Sequence, residues 1–378
     1  MAVAAAETDA EPAALDPDDL LGHVLETTRT PGAAWDEVAS GFADATFEQT
    51  VAYLAPRYTG DRLLGLLLRD GAGDVVACAL AVLVVLPVVG AGLAYVKFGP
   101  LWRRRGLPGS AERLVAILRA IRMEICGRRR LALRLVPPAD PDAAAIWPDA
   151  LREAGFAGPA AIAHPERYFV DLTLDEATQR ASLAAKWRAN LVKAEAAGLE
   201  LREGSLGEDL PVFMRLFEGM RARKGFDDTH RIATAPAVLA ALPAAFRPRL
   251  FLASAAGEPI AATILVGSGE RISVPYSATS ADAAPLRAGY ALRWHVMNAL
   301  RGSGARWLDL GGCEGDQGLR HFKEGNVGKR GRVIDVPGEF SAAGSHLSEH
   351  TAAAILGLRT RADSPMLRRL YQELRRRA

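Results

Sequence analysis

Two stretches of the chain carry the same alternation of apolar runs and glycine-marked breaks. In the first, DRLLGLLLRD (61–70), GAGDVVACALAVLV (71–84) and GLAYVKFGPLW (92–102) follow one another. In the second, RPRLFLASAA (247–256), GEPIAATILVGSG (257–269) and RISVPYSATS (271–280) do the same. Apolar runs of this length, rich in β-branched residues and separated by glycine turns, predict three antiparallel strands each time. A helical pattern follows each meander. In SAERLVAILRAIRMEI (110–125), Leu114, Ile117, Leu118 and Ile121 recur at helical spacing; in LRAGYALRWHVMNAL (286–300), Leu292, Val296 and Leu300 make one stripe. A further strand comes next in both halves, RLALRLVP and RWLDLGG, and a helix precedes each meander, TFEQTVAYLAP and EDLPVFMRLFEGMRARKG.

Residues 75–96 carry no charge until Lys97 and are numerous enough to span a bilayer as a helix. Their valine content favours a pleated sheet instead, and Pro87, Gly90 and Gly92 interrupt the run where a turn would lie. The segment is therefore expected to form two strands buried on both faces.

Helix, meander, helix and strand, stated twice, predict an α+β protein of two similar domains, each a mixed, largely antiparallel sheet flanked by helices. The expected organisation is a disordered tail over 1–30, a first domain over 31–160, a second over 161–340 and a helical tail over 341–378. The break is placed in GFAGPAAIAHPE (155–166). A single long helix is expected over 175–198, with Asp175 as its N-cap and Gly198 as its stop. In the last segment Leu367, Leu370, Tyr371 and Leu374 share a face that is expected to pack on the body.

The chain of 378 residues is nearly balanced in charge, with 46 Lys and Arg against 44 Asp and Glu, so bulk charge does not argue for nucleic acid. Tight arginine clusters at 103–105, 128–130 and 375–377 read as solvated ends or as contacts for phosphate or acidic lipid. Cys78, Cys126 and Cys313 are far apart and form no metal-ligand pattern with the histidines, so neither a disulfide framework nor a metal is expected. The first residues are acidic and lack a basic, apolar leader pattern, which fits a cytoplasmic protein.

Four patches then coincide in order and spacing with one family. WDEVASGFADATFEQTVAYL (35–54) is similar to its opening helix, and GLAYVKFGPLW to its Gly-Pro strand end. AAKWRANLVKAEAAGLEL (184–201) is similar to its Lys-x-Arg-x-Asn helix. LDLGG followed by GLRHFKEG (308–325) is similar to its Phe-Lys segment. The chain thus resembles the Fem family of peptidoglycan aminoacyltransferases, which have a double GNAT-like fold. The resemblance implies transfer of an aminoacyl group from aminoacyl-tRNA to an amine of a muramyl-peptide precursor, UDP-linked or lipid-linked, in a cleft between the domains. A lipid-linked acceptor would bring the protein to the inner face of the membrane.

Such an ester is already activated, so neither a cofactor nor a protein nucleophile is required, and the sequence offers no GxSxG or Cys-His arrangement. What the reaction needs is a cation or amide at the developing oxyanion. By resemblance that cation is Lys323, with Phe322 beside it. Asp309, Gly311 and Gly312 close a strand and let backbone approach a ligand. Lys186 and Asn190 share one helix face, and the resemblance makes Arg188 the candidate for gripping a nucleotide-sugar diphosphate. Tyr276 corresponds to an aromatic of the peptide groove. The family's first-domain phosphate lysine has no counterpart, and the stretch after Gln49 offers only Arg57.

Two other readings compete. An acyl-CoA-dependent GNAT N-acyltransferase would hold pyrophosphate at PLRAGYAL (285–292), where Gly289 and Ala291 fit but Leu286 stands in place of Gln or Arg. A non-catalytic binding protein for cell-envelope precursors would bind ligand without Lys323.

Overall fold

A computed structural model describes residues 20–58, 60–86, 90–226 and 231–360. Among these, the strands form two seven-stranded sheets. The first half contains β1 (Val24–Arg29), α1 (Ala34–Ser40), α2 (Val51–Leu54), β2 (Leu63–Arg69), β3 (Val75–Val85), β4 (Gly92–Lys97), α3 (Ala111–Arg122), β5 (Ala132–Val136), α4 (Trp147–Glu153) and β6 (Ala157–Ala160). Then follow β7 (Glu166–Asp171), α5 (Glu176–Ser182), α6 (Ala185–Glu195), β8 (Glu200–Gly204), α7 (Leu206–Lys224), α8 (Ala235–Ala241), β9 (Arg249–Ala255), β10 (Glu258–Ser268), β11 (Arg271–Thr279) and α9 (Ala288–Leu300). The described residues continue through β12 (Trp307–Asp309), α10 (Gln317–Val327), β13 (Arg332–Asp335), β14 (Glu339–Ala342) and α11 (His346–Thr360). The first sheet runs β1-β2-β3-β4-β5-β14-β6 and the second β13-β7-β12-β11-β10-β9-β8. The α+β architecture and both meanders read from the sequence are present.

The uncharged run is a hairpin. β3 pairs antiparallel with β4, Val82 opposite Tyr95 and Val85 opposite Gly92. No described helix is long and apolar enough to cross a membrane. Pro87 lies outside the described residues, as do the last helix's stripe from Leu367 to Leu374 and the 375–377 cluster. In α3, Leu114, Ile117, Leu118 and Ile121 are fully buried against the first sheet, each such side chain contributing roughly 1.5–3 kcal/mol.

Two expectations are corrected. Residues 24–29, assigned to a disordered tail, form β1, whose partner β2 presents an unbroken buried run. The helix expected over 175–198 is two helices. Asp175 caps α5 by accepting from the Thr178 amide at 2.8 Å, but Leu183 and Ala184 are extended and restart the chain as α6. The break lets Leu183 reach the core and the Ala184 amide donate to Gly325 O on α10 at 3.1 Å.

One apolar core serves both halves. Trp35, Phe42, Leu67 and Leu80 of the first pack with Phe213 and Phe217 of α7, Phe246, Ile264 and Tyr276 of the second. Arg103 adds an ion pair across the seam, to Glu270 at 3.5 Å, and holds Asp140 of its own half at 3.2 Å. The first two family-like patches are explained by packing. Gln49 accepts from the Leu80 amide at 2.8 Å and donates to Lys97 O at 2.8 Å, tying β3 to β4. A Cβ at Gly99 would sit 2.6 Å from the Gln49 side chain, so the glycine of the strand end is required by the glutamine.

Candidate functional site

The parallel pair β11 and β12 is short. Arg271, Ile272 and Ser273 pair with Trp307, Leu308 and Asp309, after which β12 stops while β11 continues to Thr279. Gly311, at φ +73°, turns the chain away, a conformation that suits glycine. The two strands therefore part at the level of Asp309, and five of the predicted site residues, Asp309, Gly311, Gly312, Phe322 and Lys323, gather around that opening.

On the side facing the first domain, Asp309 is 2% exposed. Its carboxylate accepts from Arg167 Nη2 at 2.8 Å and from the Gly311 amide at 2.8 Å. Burial alone would raise this carboxyl, but Arg167 and Arg271 outweigh it and hold it below the ordinary range. Glu48, from the first domain, is pushed up by burial against the opposing pull of Arg167 and Lys97. Thr46, Glu48, Phe98, Arg167, Arg271 and Asp309 line a cavity between the halves with room for about one water molecule.

On the helical side, Lys323 projects from α10 and is 9% exposed. Its Nζ donates to Gly312 O at 2.5 Å. Burial lowers its pKa to about 8, with Arg293 and Arg167 acting in the same direction and Asp309 opposing them. Phe322, the neighbouring residue, packs with Tyr290 of α9 and Trp187 of α6, ring centres 5.0 and 5.9 Å away. Gly325 is fixed by that packing, since a Cβ there would lie 2.8 Å from the Trp187 ring.

Lys323, Asp309, Gly311, Gly312 and Phe322 are thus one constellation, and the rest of the expected set lies apart from it. Arg188 Nη1 donates to Ala181 O at 2.9 Å and Leu183 O at 2.8 Å, closing the end of α5 rather than pointing to an open site. Lys186 is exposed on α6, and Asn190 is partly exposed one turn on. Tyr276 is 4% exposed within the shared core, packs against Phe213 and accepts from Arg57 Nη2 at 3.5 Å, which places it on the interdomain side. The Cys313 thiol, fully inside, donates to Glu166 Oε1 at 3.0 Å, and Arg320 binds the same oxygen. Sequence reasoning missed Arg167, Arg271 and Glu48. A single arginine at the head of the apolar strand RYFVDL was the only local trace of Arg167. Among the described residues no group of His, Cys, Asp and Glu could hold a metal ion.

The fold of this chain has known counterparts. The acetyltransferase (GNAT) domain family matches residues 179–324, which include Lys323 and both strands of the opening. FemX superposes with a TM-score of 0.68 at 15% identity, covering 86% of this chain and 98% of that one. The C-terminal domain of a putative lysylphosphatidylglycerol synthetase from Agrobacterium fabrum gives 0.51 at 14% identity, covering 86% and 96%. L-PGS from Bacillus licheniformis gives 0.50 at 14% identity, covering 91% and 95%. No curated protein matches the sequence. The architecture is therefore the tandem GNAT-like acyltransferase fold shared with FemX.

Proposed function

We propose that this chain is an acyltransferase that moves an aminoacyl group from the ester of aminoacyl-tRNA to an amine of a muramyl-peptide precursor. The observation that carries the reading is Lys323, a buried cation held by Gly312 O where the two strands part, between the interdomain cleft and the helical side. The acceptor amine is assigned to the interdomain side, near Asp309 and Glu48, and the donor ester to the helical side.

In this scheme the neutral amine attacks the ester carbonyl and forms the new C–N bond. The Lys323 ammonium has two protons left after its bond to Gly312 O, and one of them is directed at the oxygen that becomes negative. As the intermediate collapses, the ester C–O bond breaks and the proton lost by the amine ends on the departing ribose hydroxyl. No acyl-enzyme is formed. Asp309 keeps Gly311 turned by accepting its amide, and so sets the carbonyl of Gly312 that aims the lysine. Lys186 and Asn190 serve the substrate from the α6 surface, with Tyr276 and Arg57 on the acceptor side.

The acetyltransferase name of the matched domain favours acyl-CoA as a second donor. A thermal-shift panel on the full chain separates the two, using UDP-MurNAc-pentapeptide, a short-chain lipid II analogue and acetyl-CoA. A ligand that binds only the native state raises the melting temperature. A rise with a muramyl-peptide supports the aminoacyl reading. A rise with acetyl-CoA alone overturns it in favour of an acyl-CoA enzyme.

A further inference from the structure

Arg293 stands in the middle of α9 on its buried side and is 8% exposed. Its Nε and Nη1 atoms are buried without a hydrogen-bond partner, and among the described residues no carboxylate lies within ion-pair range of it. Burial alone lowers its pKa to about 10, so it stays charged near neutrality. An unpaired guanidinium in a protein interior is costly, and an apolar side chain of similar volume would serve packing better. A buried polar group left without partners calls for an explanation, such as a missing ion.

The surroundings supply a second cation rather than an anion. Arg293 acts on Lys323 of α10 and helps to lower its pKa. One turn further along both helices, Asn326 Nδ2 meets Met297 Sδ at 3.2 Å, while the fully buried Asn326 Oδ1 has no partner. Asp309, the carboxylate that acts on Lys323, is already bound to Arg167. Side chains on a helix lean toward its N-terminus, so Arg293 lies over the turn that contains Gly289 and Tyr290. A Cβ at Gly289 would meet nothing within 4 Å, so that turn faces open space. The amides at the start of α9 are largely engaged: Ala288 N donates to Ala283 O, and Tyr290 N to Arg287 O, each at 2.9 Å.

We propose that Arg293 and Lys323 form a buried two-cation site for one phosphate group of the donor, held between α9 and α10 by side chains rather than by the amides that open α9. The phosphate would come from the 3′-terminal nucleotides of an RNA donor or from coenzyme A. The inference rests on the donor lying on the helical side, as set out above. It also gives the missing loop residue at Leu286 a substitute: a cation seven residues further on, about two helical turns along.

The test uses the full chain, wild type and Arg293→Met, with three probes: inorganic pyrophosphate, coenzyme A and the trinucleotide CCA. Without probe, R293M should melt higher than wild type, because the swap removes a buried unpaired charge at nearly constant volume. Wild type should gain melting temperature with pyrophosphate and with one of the two donor fragments, and that fragment identifies the source. R293M should lose at least nine-tenths of the gain. Arg293→Lys keeps a cation and should bind the same probe about tenfold more weakly, so the site can be judged even if R293M does not fold. Equal shifts in wild type and R293M, no shift in wild type, or an R293M protein that folds but melts lower would each overturn the proposal. None of these readouts uses an acceptor. Failure of the muramyl-peptides with the phosphate shifts intact therefore sinks the acceptor reading alone.

Discussion

The two domains repeat one element order but differ in how particular buried polar side chains are held. In the first, three that enter the core are tied to backbone. Gln49 bridges β3 and β4, Asp36 accepts from the Val51 and Ala52 amides at 2.6 and 2.9 Å, and Asp44 accepts from those of Trp102 and Arg103 at 3.0 and 3.1 Å. In the second, the corresponding region between sheet and helices holds Lys323 on a single carbonyl and Arg293 without a partner. Satisfied buried groups specify a structure, whereas unsatisfied ones are tolerated where a ligand completes them. Chemistry is accordingly sought in the second domain, although both have the same framework.

The sharpest break of this comparison is Lys323→Met. Loss of an oxyanion donor should lower kcat by roughly 10²- to 10³-fold, and the folded chain should melt no lower than wild type, since a buried charge is removed. Initial rates and thermal melts on the same preparation check both halves. The pH dependence follows from the same residue. Its pKa is lowered from 10.5 to about 8, by burial first and by Arg293 and Arg167 next, so the part of the rate that needs the ammonium falls as pH rises through about 8. Stability moves the other way. Between about 8 and 10.5 the unfolded chain binds more protons at this lysine than the folded one, so the lysine's contribution to stability rises with pH in that window and is missing from K323M. A rise through pH 8 that is present in wild type and absent from K323M would make Lys323 a base.

A smaller effect is expected in the first domain, and of the opposite kind. Gln49→Leu leaves the Leu80 amide and the Lys97 carbonyl without their partner, which should cost roughly 2–4 kcal/mol in denaturant unfolding, with the rate per folded molecule unchanged. At the bottom of the scale is Arg180→Ala. It breaks a two-bonded pair with Glu195 at 2.7 and 2.6 Å, but both side chains are solvent-screened, and the loss should be about 0.5 kcal/mol.

The framework was legible in the sequence because local signals were strong. Valine-rich runs cut by glycine gave the hairpins, and the Leu114–Ile121 and Leu292–Leu300 stripes gave the helices that cover them. Lys323 and its glycines were recognised through resemblance, and the coordinates place them together. Arg293 was invisible for a physical reason: one arginine in LRWHVMNAL reads as the polar flank of an amphipathic helix, and only tertiary packing turns it inward. Arg188 erred the other way. Its fork suits a phosphate, but the break between α5 and α6 left carbonyls nearby that took it first. The partners of Asp309 come from 142 residues upstream for Arg167, a separation that no local pattern encodes.

β14 carries one more consequence. This strand lies after the whole second sheet in sequence, yet it sits between β5 and β6 in the first, with Phe340 opposite Leu135 and Glu339 opposite Ala160. The chain therefore crosses from one domain to the other twice. A ribosome that has released only the first 160 residues has delivered a sheet with a missing rung, and β6 has no neighbour until residues 339–342 have been made. Cutting the coding sequence at the boundary between the two sheets would not yield two halves, because the first half keeps part of itself in the second.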